Sequence, residues 1–184
     1  MIKYNIIIMM AKLLRNKILI FFLIIVILIS IPLFIAGCSE KMTRYDNFTF
    51  MVSIEYPDNW KAVESDYLVG GKPTRFEGDS GFLQIAAVNG QDIPIDKVAS
   101  DEAKNKLNLY GSNPQIEKTN INNRDAVFIF ASSDQPEEMN NQACLIIKYP
   151  QSLIIDNEEY NYFILWADKK HIKDIANSLH FIVY

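Results

Sequence analysis

Hydrophobic and polar positions divide this chain into two regimes. Residues 18–36 (ILIFFLIIVILISIPLFIA) run for nineteen positions without a charge. Beyond residue 47 the apolar positions instead recur with periods of two or about 3.6, the marks of half-buried strands and amphipathic helices. Alternation predicts strands over 48–56 and 81–88, with weaker candidates at 61–65 and 74–77 on either side of a Gly70-Gly71 turn. Tyr56-Pro57-Asp58-Asn59-Trp60 closes the first strand with turn chemistry. Asn89-Gly90 ends the 81–88 strand. A helix is expected from Pro94 to Tyr110, because Ile95, Val98, Ala99, Ala103, Leu107 and Tyr110 share one face and Gly111 stands where a left-handed cap is wanted. Strands follow at 115–119, 126–131, 143–149 and 160–167, with an acidic polar loop at 132–142. Asp168 is a good N-cap for a closing helix with Ile172, Ile175, Ala176 and Leu179 on one stripe. Short polar turns imply largely antiparallel pairing. The expected architecture is α+β: a largely antiparallel sheet of about six strands covered by two helices, an α/β/α sandwich.

The apolar run has a basic approach, Lys12, Arg15 and Lys17, and no acidic residue precedes position 38. It ends in Ile35-Ala36-Gly37-Cys38. A basic start, an apolar stretch and small residues before a cysteine resemble a bacterial lipoprotein signal with its lipobox, Ile35, Ala36 and Gly37. The resemblance implies a signal peptide over 1–37, lipidation of Cys38, a tether over 38–47 and a folded domain over 48–184. It also implies a lipid-anchored protein on the extracytoplasmic side of the cell membrane, since two or more acyl chains hold a protein firmly. Ser39 is similar to signals that do not retain the protein at an inner membrane. Met9 or Met10, followed by Ala11-Lys12, is the more ordinary start of such a leader. The alternative is a retained membrane helix, for which nineteen residues suffice. Pro32 and the small residues before Cys38 argue against it.

Charge narrows the function. The chain holds 18 Lys+Arg and 22 Asp+Glu, and the first 37 residues hold four of the bases and none of the acids. The remaining 147 residues, 184 less 37, therefore carry 14 bases against 22 acids, a formal charge of −8. That excludes a nucleic-acid partner, which needs a basic stripe. It also leaves membrane attachment to the lipid on Cys38. Past Cys38 the only cysteine is Cys144, so no intramolecular disulfide is available to the exported part. Its apolar neighbours make it a small buried strand residue rather than a reactive thiol.

Catalytic chemistry is thinly represented. His171 and His180 stand nine apart at opposite ends of one helix, too far to share a metal, and His180 suits a favourable charge near the helix C-terminus. Two acidic clusters, Asp134/Glu137/Glu138 and Asp156/Glu158/Glu159, are weak candidates for calcium or manganese. Neither has the alternating ligands and glycine turn of a calcium loop, and solvated turns explain both. Asp134, Glu137 and Glu138 are the better of the two sets because their loop is long. No nucleophile elbow, Ser-x-x-Lys pair or phosphate loop occurs. Tyr56, Trp60, Tyr160, Tyr162 and Trp166 could line a ligand groove or fill a core. No cofactor is expected.

The opening strand into Tyr56-Pro57-Asp58-Asn59-Trp60, the single amphipathic helix in mid-chain, and the strand-helix close through Ser178-Leu179-His180-Phe181 resemble the PsbP-like fold. Photosystem-associated PsbP proteins, Mog1 proteins and DcrB-type bacterial lipoproteins share it. The resemblance covers residues 48–184 and implies an accessory or binding module without catalytic residues, with an envelope protein as a possible partner. The competing expectation is a membrane-anchored hydrolytic or metal-dependent enzyme using Asp134, Glu137, Glu138 or the histidines.

Overall fold

The computed structural model describes residues 40–63, 68–105, 107 and 109–183. The lipobox, Cys38 and the apolar run before them lie outside the described residues. Within the described residues no helix is long and apolar enough to cross a membrane.

The elements in chain order are β1 (Met42–Asn47), β2 (Val52–Pro57), β3 (Lys61–Ala62), β4 (Leu68–Val69), β5 (Lys72–Pro73), β6 (Arg75–Gly78), β7 (Gly81–Val88), α1 (Ile95–Ala103), β8 (Gln115–Ile121), β9 (Arg124–Phe130), α2 (Glu137–Asn140), β10 (Gln142–Ile155), β11 (Glu158–Asp168), α3 (Ile172–Ser178) and β12 (His180–Phe181). The main sheet has seven strands in the order β3-β6-β7-β11-β10-β9-β8. A separate three-stranded sheet, β1-β2-β12, and the β4-β5 hairpin complete the pairing. Every described pairing is antiparallel.

Side chains of the central strands alternate between two cores, as period two requires. Ala143, Leu145 and Ile147 of β10, with Phe163, Leu165 and Ala167 of β11, face a core shared with Val52 and Ile54 of β2 and with Ile172, Ile175 and Ala176 of α3. Cys144, Ile146, Tyr162 and Ile164 face the opposite core, where Val98, Ala99 and Ala103 of α1 pack. Because both faces are covered, these strands read as continuous apolar runs. Fully burying each Leu, Ile or Phe contributes roughly 1.5–3 kcal/mol, so β10 and β11 anchor the domain. Two tight hairpins fix register, one between β8 and β9 and one between β10 and β11. Asn122-Asn123 (φ 52° and 61°) and Asp156-Asn157 (φ 52° and 68°) take the left-handed conformation that two-residue hairpin turns demand.

Several expectations change. Residues 42–47, read as part of a 38–47 tether, form β1 and pair with β2 in full register from Met42↔Pro57 to Asn47↔Val52. Their polarity disguises an inward face. The Tyr45 ring packs 4.8 Å from that of Phe76, the Tyr45 hydroxyl donates to Pro73 O at 2.6 Å, and the buried Asn47 accepts from Phe50 N at 2.9 Å. The strand expected from residue 48 starts at Val52, after a turn containing Met51 at φ 53°. This strand lies in the small sheet, so one face of the main sheet is covered by α3 together with β2 rather than by a helix alone.

The mid-chain helix stops at Ala103, short of Tyr110. There the Asn105 side chain accepts from Leu107 N at 3.0 Å, a local bond that competes with helix continuation. Leu107 is left 72% exposed. A four-residue helix, α2, interrupts the expected 132–142 loop. His180 opens β12 opposite Ser53 and is a strand residue, not a capping charge on a helix.

Candidate functional site

A row of cross-strand neighbours crosses the α1 side of the main sheet: Arg75, Gln84, Trp166, Cys144, Ile129. Helix α1 packs against β9 and β10 and covers the apolar end of this row. The Arg75–Gln84–Trp166 end forms the floor of a groove of about 550 Å³. Its walls include Glu102 at the end of α1, Leu109, Phe82, Glu138 of α2 and Gln142.

Glu102 is the organising group. Its Oε1 accepts from the Tyr110 hydroxyl at 2.8 Å and from Trp166 Nε1 at 2.9 Å, and Trp166 Nε1 lies 3.0 Å from the Tyr110 oxygen. Burial, reinforced by the neighbouring Cys144 and Glu102, pushes the Tyr110 phenol far above its ordinary value, so it remains a donor. Cys144 lies beneath, fully buried, and burial followed by the nearby Glu102 raises its thiol well above the ordinary value. A protonated thiol is a poor nucleophile, which supports a packing role for Cys144.

At the other end the Arg75 guanidinium lies over the Phe82 ring at 4.7 Å, donates through Nη1 to Gln84 Oε1 at 2.9 Å and pairs with Glu77. The groove thus presents a held carboxylate, an indole and a phenyl ring, and an arginine whose charge has a counter-ion. That set suits binding of a small polar molecule. Its described lining residues include no serine, threonine, cysteine or histidine.

The residues singled out from the sequence scatter. Asp134 is engaged in a clamp between two loops: Ser112 N donates to it at 3.1 Å and the Ser132 hydroxyl bonds its other oxygen. Ser112, then Ser132, lower its pKa to about 2. Glu138 belongs to the groove wall instead, and the Glu137 side chain lies outside the described residues. Among the described residues no group of three or more His, Cys, Asp or Glu side chains is placed to hold a metal ion. Asp156 sits in the β10–β11 turn, and Glu159 accepts from Asn161 at 3.1 Å. Of the five aromatics, Tyr56 and Trp60 fill one core and Tyr162 the other, Tyr160 is half-buried on β11, and Trp166 reaches the groove.

His171 meets a partner that spacing alone did not suggest. Its Nδ1 lies 2.7 and 2.8 Å from the two Asp168 oxygens, and both side chains are almost wholly buried. Asp168 also accepts from Lys170 N, His171 N and, across the sheet, Phe82 N at 3.3 Å. It therefore caps the turn before α3, whose N-cap position is His171 itself. The Trp60 ring stands edge-on to the imidazole at 5.1 Å, and Trp60 Nε1 donates to Ser80 at 3.1 Å. Gly81 lies so close that a Cβ there would collide with Asp168 Oδ2. This tightly filled site ties the β6–β7 turn to the start of α3.

A second cleft, about 290 Å³, opens where β10 slips register between Lys148 and Leu153. Met51, Leu153, Ile154, Phe181 and Val183 line it, and none of its lining residues is charged.

No family model and no curated relative matches the chain. Among solved structures, the solution structure of cyanobacterial PsbP (CyanoP) from Synechocystis sp. PCC 6803 is similar to it, with a TM-score of 0.42 and 12% identity, covering 79% of this chain and 95% of that one.

Proposed function

We propose that this chain is a lipid-anchored, extracytoplasmic binding or accessory lipoprotein of PsbP-like fold, without catalytic activity of its own. The observation that carries the reading is Ile35-Ala36-Gly37-Cys38 at the end of a nineteen-residue charge-free run behind Lys12, Arg15 and Lys17. A spanning helix has no need of two small residues and a cysteine at its end, whereas a lipid-modified export signal does. The formal −8 of residues 38–184 disfavours attachment through anionic headgroups, which leaves the acyl chains as the anchor. The binding part of the reading is supported by a groove with preset polar groups.

Expression of the full chain in bacteria, with intact mass compared between wild type and Cys38→Ala, tests the anchor. The wild type is expected to have the mass of residues 38–184 plus acyl chains, and a radioactive fatty acid is expected to label it but not the variant. An unprocessed mass for both would replace the lipid anchor by a retained membrane helix.

A further inference from the structure

We infer that the groove beside Trp166 is a receptor for an aliphatic ammonium group, with Glu102 as the counter-ion and the Trp166 indole as the aromatic wall. The inference rests on the binding-module part of the proposed function and is independent of lipidation.

The two oxygens of the Glu102 carboxylate are used unequally. Both of its protein donors, the Tyr110 hydroxyl and Trp166 Nε1, converge on Oε1. Oε2 accepts nothing from the described residues. No buried side-chain polar atom in the described residues lacks a partner, so Oε2 is turned to the open side. Glu102 lines the 550 Å³ groove and also a smaller cleft beside Val88 and Ile164, and its Oε1 bonds hold the carboxylate at the groove wall with Oε2 open to a ligand.

Charge decides the sign of the ligand. Among the described residues that line the groove are two carboxylates, Glu102 and Glu138, and one cation, Arg75, which is paired with Glu77 and spread over Phe82. An anion would meet uncompensated negative charge there. A neutral ligand would make no use of the preset carboxylate. A cation gains both the carboxylate and the indole, the best aromatic partner for an ammonium group. The volume fits within the roughly 300–1,000 Å³ of small-molecule sites. Two acidic side chains along one groove favour a ligand with more than one amine.

Cadaverine and the diol of equal length are the probes. The full chain in non-ionic detergent is titrated with each, following tryptophan fluorescence and the heat of binding. Variants are Glu102→Gln, which keeps an oxygen for Tyr110 and Trp166 but removes the charge, Glu138→Gln, and Glu158→Gln as a remote change of equal net charge. Thermal unfolding verifies that each variant is folded. The expected result is saturable cadaverine binding, no diol binding, and affinity weakened about tenfold or more by Glu102→Gln. Glu138→Gln is expected to weaken it by a smaller factor and Glu158→Gln to leave it unchanged. Absence of saturable cadaverine binding, equal binding of the diol, or equal weakening by Glu102→Gln and Glu158→Gln would overturn the inference. If Glu102→Gln fails to fold, unchanged affinity in Glu138→Gln together with full diol binding by the wild type would overturn it. Lipidation is scored separately by mass, so failure of the anchor is not confused with failure of the site.

Discussion

Replacing Asp168 by alanine should be among the most damaging single changes in the domain. The carboxylate accepts from three backbone amides, Lys170 N at 3.1 Å, His171 N at 3.2 Å and Phe82 N at 3.3 Å, and contacts His171 Nδ1 at 2.7 Å. Its side chain is 1% exposed and that of His171 6%. Alanine would remove the Asp168 partner of a buried imidazole and of the part-buried Phe82 amide, in a site packed by Trp60 and Gly81. Hydrogen bonds to a charged acceptor are worth roughly 1.5–3 kcal/mol each, and breaking a buried polar pair from one side costs about 3–5 kcal/mol. The Lys170 amide lies nearer solvent and regains water, so the estimate for the whole change is about 3–5 kcal/mol. Against a typical total of about 5–15 kcal/mol that is a large share.

Asp168→Asn preserves the shape and one oxygen for the turn amides, so about 1–2 kcal/mol is expected. In the double variant with His171→Ala both members of the contact are gone, and the combined loss should fall short of the sum by about 1 kcal/mol or more. Urea unfolding followed by tryptophan fluorescence measures all of these. A loss below about 1 kcal/mol for Asp168→Ala, or strict additivity in the double variant, would refute the view of this pair as the tie between the β6–β7 turn and α3.

Two further outcomes follow from the same geometry. In a Cys38→Ala background the sole thiol is Cys144, 0% exposed and raised well above its ordinary value by burial. A maleimide should leave it unlabelled in the native protein at neutral pH and label it in denaturant; rapid native labelling would place it in a different environment. Asp134 titrates at about 2 in the folded chain instead of 3.8, held down first by Ser112. A depressed carboxylate contributes stability that is complete above the unfolded value and is lost as pH falls towards the folded one. Asp134→Asn should therefore lower stability at neutral pH and flatten the acid limb, the two proteins converging as pH falls from about 4 to 2, and identical acid limbs would contradict the Ser112–Asp134–Ser132 clamp.

Elements whose two sides are both apolar were legible from the sequence, because nothing in their neighbourhood competes with the pattern. The ACLII stretch of β10 and the YNYFILWA stretch of β11 lie where alternation and β-branched content put them. β1 was not legible. MTRYDN has one aromatic and otherwise polar or flexible residues, and its inward face is built from Tyr45 and Asn47, whose polar ends are satisfied by Pro73 O and Phe50 N. Hydropathy scores such side chains as solvent-facing, while the structure buries them by pairing each polar atom. The helix end misled in the opposite direction. Leu107 and Tyr110 continue the 3.6-residue period of α1, yet Asn105 turns the chain first, and Tyr110 then reaches the same core from a loop. For Tyr110 the periodic position records burial, not the backbone conformation that achieves it, and for Leu107, which stays exposed, it records neither.

The groove shows why site chemistry was harder to read than fold. Glu102 stands four residues after Val98, on the edge of the apolar stripe of α1, and a charge at that position is the one local sign that it is needed. Its meaning depends on Trp166, 64 residues away, and on Tyr110, eight away, which meet it only because β11 lies beside β10 in the sheet order. Asp134 and Glu138 illustrate the converse. They are neighbours in sequence, but one closes a loop on Ser112 while the other faces the groove. Proximity along the chain suggested a metal cluster; the backbone turn between them divides it. A carboxylate acquires its role from the donors that fix it, and in this fold those donors come from strands and loops that sequence spacing does not connect.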